Sequence, residues 1–120
     1  MEMPLPEIID RISILKLKIE RVNVSLRKSF EREMQECEKA IEEFRNKGII
    51  IKQEWIDKLY EINGFQWNLE SEMNNLRKAE KIEEMGKIYL DLQISNKKRV
   101  AVKNQISEET GSGFRDIKVN

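Results

Sequence analysis

The chain has no histidine and a single cysteine, Cys37, among its 120 residues. The first absence excludes Ser-His-Asp and Cys-His catalysis, histidine-based zinc sites and imidazole proton transfer. The second excludes an internal disulfide and fits a reducing compartment. Only two prolines and five glycines interrupt the chain. None of the glycines forms a phosphate-cradling loop, because Gly111-Ser112-Gly113 lacks the lysine and helix that should follow it. No apolar run is long enough to cross a bilayer. The opening, Met1 to Pro6, has no secretion-signal layout. Lysine plus arginine and aspartate plus glutamate both number 22, so no net field draws the chain to a nucleic-acid polymer or an anionic membrane. A cytoplasmic protein is the expectation, and the glycosylation sequon Asn23-Val24-Ser25 is read as chance. No motif calls for a cofactor.

What is present is helix. Charged residues make up 37% and hydrophobic ones 39%, the balance of long amphipathic helices rather than of a sheet. Pro4-Leu5-Pro6 suits a helix start, with Glu7 in the first turn. Ile8, Ile12, Leu15, Ile19, Val22 and Leu26 then repeat at steps of four and three. Ile9, Ile14 and Leu17 widen this seam, which predicts a helix covered on more than one side. A turn is expected near Asn23 to Lys28.

The second seam runs Phe30, Met34, Cys37, Ile41 and Phe44, with Gly48 at a left-handed helix terminus. Cys37 within it reads as a small core residue. Ile49-Ile50-Ile51 follows, either a connector folded back on the helix end or an exposed self-association patch. The third seam is Ile56, Leu59, Ile62, Gln66, Leu69, Met73 and Leu76, with Trp55, Tyr60, Phe65 and Trp67 off its line. Gly64 inside this helix points to close approach of another backbone. After a break between Ala79 and Gly86 comes the fourth seam, Ile88, Leu92, Ser95, Arg99, Val102 and Ile106. The expectation is an all-α fold, an antiparallel helical bundle of about four helices over residues 1–107, followed by a C-terminal tail at 108–120. The wide apolar faces of the first and third helices predict self-association.

Gln66, Ser95 and Arg99 interrupt otherwise apolar seams. Polar groups in a seam either fix register or line a site. Asn96, Arg99 and Lys103 share one face of the last helix; Gln66 and Glu70 share one beside Trp67. If these faces meet, Arg99 and Lys103 would meet an anion and Trp67 would stack on a planar ring, with Asn63, Glu70 and Asn96 orienting it. The plainer reading is a structural Glu70–Arg99 ion pair.

One carboxylate pattern, Glu33-x-x-Glu36 followed by Glu54-x-x-Asp57, matches the spacing of all-α nucleotide pyrophosphohydrolases of the MazG type, which need converging ligands for magnesium. In a hairpin turning near Gly48 to Lys52, Glu33 and Glu36 would face Gly64 to Trp67. That leaves the two carboxylate pairs about 15 Å apart at about 1.5 Å per residue.

The segments Ile8-Ile9-Asp10-Arg11-Ile12-Ser13-Ile14-Leu15 with Lys18 and Arg21, Asn63 with Trp67 and Glu70, Asn96 with Arg99 and Lys103, and the late Gly111-Ser112 together resemble a family of short helical bacterial proteins of unknown function. The likeness runs over about residues 8–118. It adds Asp10 and Lys18 to the candidate site, beside Asn63, Trp67, Glu70, Asn96, Arg99 and Lys103, and implies no activity. Ser71, Asn74, Lys97 and Arg115-Asp116 depart from the family pattern and make this copy more basic around the candidate site.

The leading expectation is a non-enzymatic binding protein holding an anionic, nucleotide-like small molecule, of the kind a phage would use for sequestration. The alternative is a structural or adaptor protein that binds another protein through its helical surface. A magnesium-dependent pyrophosphohydrolase is the third reading.

Overall fold

The computed structural model describes residues 3–22 and 24–111. Four helices account for nearly all of them: α1 (Leu5–Arg21), α2 (Val24–Asn46), α3 (Gln53–Lys78) and α4 (Ile82–Thr110). Each begins or ends where local chemistry directs. In α1, Pro6 lies in the first turn, where its missing N–H costs nothing, with Glu7 near the N-terminus and Lys18 and Arg21 in the last turn. At the end of α2 the Gly48 amide donates to the Arg45 carbonyl (2.9 Å) and the Ile49 amide to that of Phe44 (3.2 Å). With Gly48 at φ 88°, this is a Schellman motif.

The end of α3 uses the same device without a glycine. The Glu80 amide donates to Arg77 (3.2 Å) and the Lys81 amide to Leu76 (3.0 Å), with Glu80 at φ 56°. A side chain in the left-handed region costs about 1 kcal/mol that glycine would not. Glu80→Gly is therefore expected to stabilise the protein by up to about 1 kcal/mol, which chemical denaturation would register. An unchanged or lower midpoint would mean that Glu80 makes a compensating interaction.

α1 packs closely against each of the other helices, α3 and α4 pack on each other, and α2 packs closely only on α1. This explains the breadth of the α1 seam: Leu5, Ile8, Ile9, Ile12, Leu15 and Leu17 are all buried because three helices surround them. The core joins them to Cys37, Ala40 and Ile41 of α2, Trp55 and Leu59 of α3, and Val102 and Ile106 of α4, with Leu17 to one side. Burial pushes the Cys37 thiol above its usual range, and nearby Glu33 adds to this. Ile49 and Ile51 pack against the core while Ile50 stays exposed, so the triple-isoleucine segment is mainly a folded-back connector.

Several expectations need correction. The first helix ends at Arg21, so Leu26 belongs to α2 and is exposed rather than part of the α1 seam. α4 continues to Thr110, three residues beyond the expected end of the bundle at 107. Asn23 of the sequon and the tail from Ser112 onward lie outside the described residues. Gly64 faces side chains, not a backbone: a Cβ there would meet Leu17 Cδ2 at 3.5 Å and Arg21 Nη2 at 3.6 Å. α2 and α3 do not form the close hairpin read from their short connection. The apolar breadth of α1, half of the argument for self-association, is satisfied within one chain.

The molecule is flat, 51 × 46 × 22 Å, with a radius of gyration of 16.4 Å. A compact domain of this length would have about 14 Å. The excess has a simple origin. α1 has 17 residues, about 26 Å, whereas α4 has 29, about 44 Å. α3 and α4 outrun the helix that covers them. None of the described helices is long and apolar enough to cross a membrane.

Candidate functional site

Asp10 lies on the helix that the other three surround and is only 2% exposed. A carboxylate in that position requires partners. Arg99 supplies them from α4: Nε donates to Oδ1 (3.2 Å) and Oδ2 (3.1 Å), and Nη2 donates to Oδ2 (2.7 Å). Asn63 of α3 adds an Nδ2 donor to Asp10 Oδ1 (2.9 Å) and another to Ser13 Oγ (2.8 Å). The Ser13 hydroxyl in turn donates to the Asp10 carbonyl (2.6 Å). Three helices are thereby locked by one polar network. The hydrogen bonds that Arg99 donates to the Asp10 carboxylate hold its guanidinium above its ordinary pKa, against the opposing effect of burial.

The expected partner of Arg99 was Glu70; the structure places Asp10 there instead. Glu70 is exposed and acts on Arg99 only through its field. Spacing along α3 and α4 could not show this, because the competing acid comes from α1.

Above the network opens a cleft of about 410 Å³ between the second half of α1 and the middle of α3. Asn63 and Arg99 reach its base, Ile14 and Leu17 supply its apolar side, and Trp67, Gln66, Glu70 and Lys18 line the rest. Asp10 takes Nε and Nη2 of Arg99, leaving Nη1 outside that pair. The Arg21 guanidinium lies 5.5 Å from the centre of the Trp67 ring and donates to Asn68 Oδ1 at 2.9 Å, which braces the indole. Lys18 Nζ sits 5.2 Å above the Phe30 ring. Gln66 Oε1 is buried and has no hydrogen-bond partner among the described residues.

Of the eight residues singled out from the sequence, Lys18, Asn63, Trp67, Glu70 and Arg99 line this cleft, and Asp10 holds Arg99 from behind it. Lys103 and Asn96 lie apart from the other six. Lys103 is paired with Glu7 at 2.6 Å, and Asn96 is exposed; neither lines the cleft. The cause is the path of α1 across α4, where Glu7 meets Lys103 and Asp10 meets Arg99, leaving Asn96 beyond the crossing. Ile14 and Leu17 were missed as lining residues, since apolar side chains on a wide seam carry no signal separating core from cleft. Ser71 and Asn74, noted only as departures from a family pattern, also line it.

The four-carboxylate pattern does not converge. Both oxygens of Glu33 are taken by Arg11, Nε to Oε1 (2.8 Å) and Nη2 to Oε2 (2.9 Å). α2 and α3, which carry the two pairs, do not approach closely. Among the described residues no group of three or more acidic or cysteine side chains is placed to hold a metal ion.

No family model, curated protein or solved structure matches this chain.

Proposed function

We propose that the protein is a non-enzymatic binder that holds a small, planar, acidic molecule of nucleotide-like chemistry in the cleft beside Trp67. The observation that carries this reading is Gln66, a cleft residue whose side-chain Oε1 is buried with no hydrogen-bond partner among the described residues. Leaving such a group unpaired costs about 1–3 kcal/mol, which a ligand N–H would recover once the amide turns into the cleft. Around it the cleft offers the chemistry of a nucleotide: an indole face for a ring, Glu70 and Gln66 as acceptors for exocyclic N–H groups, and Lys18 with the free edge of Arg99 for an acidic group. Asn63 and Asp10 are positioning residues that fix Arg99. Lys103 and Asn96 drop out of the binding set.

Binding rather than turnover is supported by the sequence, which has no histidine and whose lone thiol is buried. The pyrophosphohydrolase reading has no converging carboxylates to stand on. The adaptor reading draws on a different observation, the exposed apolar face of α3 and α4.

Tryptophan fluorescence titrations with adenosine and guanosine 5′-monophosphates, and with inorganic phosphate as control, test the proposal. A saturable quench by a nucleotide is expected, weakened about tenfold or more in Lys18→Ala and Gln66→Leu, as removal of a charged or buried hydrogen-bonding partner requires. Helicity should be unchanged in both variants. No saturable response at millimolar ligand, together with no small molecule retained in a native mass spectrum of the purified protein, would overturn it.

A further inference from the structure

We infer that two copies of this chain associate through the outer groove between α3 and α4, crossing α4 on α4 at Ile94–Ser95. This goes beyond the ligand reading and shares no residue with the cleft.

The groove has a volume of about 560 Å³ and a largely apolar floor, with Ile62 and Phe65 from α3 and Ile94 and Val102 from α4. Phe65 and Ile94 are 56% and 53% exposed, and Leu90, one turn from Ile94 on the same side of α4, is 58% exposed. Large apolar side chains clustered on one face mark a contact surface rather than scatter. α1 meets α3 and α4 at Asn63 and Arg99, and α2 packs closely on neither helix, so the groove side of α3 and α4 is left uncovered by the other described helices.

The charges identify the occupant. Lys58, Glu61, Asp91 and Lys98 rim the groove, both signs on each helix, so the rim has no net charge to attract a strongly acidic or basic partner. Asp91 and Lys98 are two helical turns apart on one face, and the midpoint between them falls between Ile94 and Ser95. A two-fold axis through that point, perpendicular to α4, sets Asp91 opposite the second copy's Lys98 and Lys98 opposite the second copy's Asp91. The same operation brings the exposed Ile94 of each copy close to the axis, with Leu90 one turn away on the same side. The crossing also lies within two residues of the middle of α4, so the helices overlap for nearly their whole length. A face about 40 Å long and about 20 Å wide removes on the order of 1,500 Å² over two copies, within the range of stable dimers. An isologous contact of this kind closes on itself and does not propagate.

Sedimentation velocity of the full chain over a concentration series tests the inference. The wild type is expected to be a dimer. Asp91→Lys and Lys98→Asp, both at exposed positions, should each weaken dimerisation about tenfold or more, because like charges then face each other twice across the axis. The double variant Asp91→Lys/Lys98→Asp should restore it, with circular dichroism showing equal helicity throughout. A wild-type monomer at every concentration overturns the inference and leaves the groove to another protein. A dimer unaffected by either reversal places the interface elsewhere, and a double variant that stays monomeric overturns the pairing. None of these results bears on the nucleotide titration, so the two proposals fail separately.

Discussion

Asp10→Ala is expected to destabilise the protein by about 3–5 kcal/mol, the range for removing one partner of a buried ion pair. Asp10 is almost fully enclosed, and its loss would strand the Arg99 guanidinium and one donor of the Asn63 amide, whose other donor stays on Ser13, at the junction of α1, α3 and α4. Arg99→Ala should cost a similar amount by stranding the carboxylate. The double variant Asp10→Leu/Arg99→Leu should recover most of the loss, since apolar side chains of comparable volume often replace a buried pair without penalty. Urea denaturation followed by circular dichroism measures all three; single variants within about 1 kcal/mol of wild type would show that the network orients Arg99 without holding the helices. Ionisation of Arg99 adds no pH dependence near neutrality. Its pKa is raised in the folded state, so its contribution is complete below the unfolded value and is lost only as pH climbs through the folded one, beyond the ordinary guanidinium range.

Trp55→Ala should cost about 3–5 kcal/mol through a different mechanism, the cavity left by a large core side chain. Trp55 is 1% exposed and belongs to a cluster fed by all four helices, with Leu5 and Ile8 from α1, Cys37 and Ile41 from α2, and Ile106 from α4. The melting temperature should fall by roughly 10–20 °C for a domain of this size. Trp67→Ala is the informative contrast. Its ring is half-buried on the cleft, so the stability loss should be smaller while the nucleotide response disappears. Similar losses in both variants would mean that the two indoles belong to one core and that the cleft is packing rather than a site.

The helices themselves were legible because local chemistry repeats with the period of the helix. The seam of α2, the glycine that terminates it and the proline that starts α1 all lie within a few residues of the features they control. The turn at Glu80 was placed only loosely, since no glycine advertises its left-handed backbone. The breadth of the α1 seam correctly implied cover on several sides but not which helices provide it. The same ambiguity made α1 an argument for self-association, whereas its own chain covers it.

The candidate site divides along the same line. Gln66, Ser95 and Arg99 stood out because a polar residue in an apolar seam is anomalous without any knowledge of its neighbours. Helical spacing also grouped Asn96, Arg99 and Lys103, but periodicity describes one helix at a time. Whether such a face meets a ligand, an acid or water depends on the helix laid across it. The sequence by itself determined four amphipathic helices and the positions where polar groups break their seams. The tertiary structure alone decided that Asp10, from a distant part of the chain, claims Arg99, that Glu7 claims Lys103, and that Trp67 and Gln66 are left facing a cleft. The physical reason is that ion pairing and burial are set by distances between helices, and those distances follow from how the seams pack.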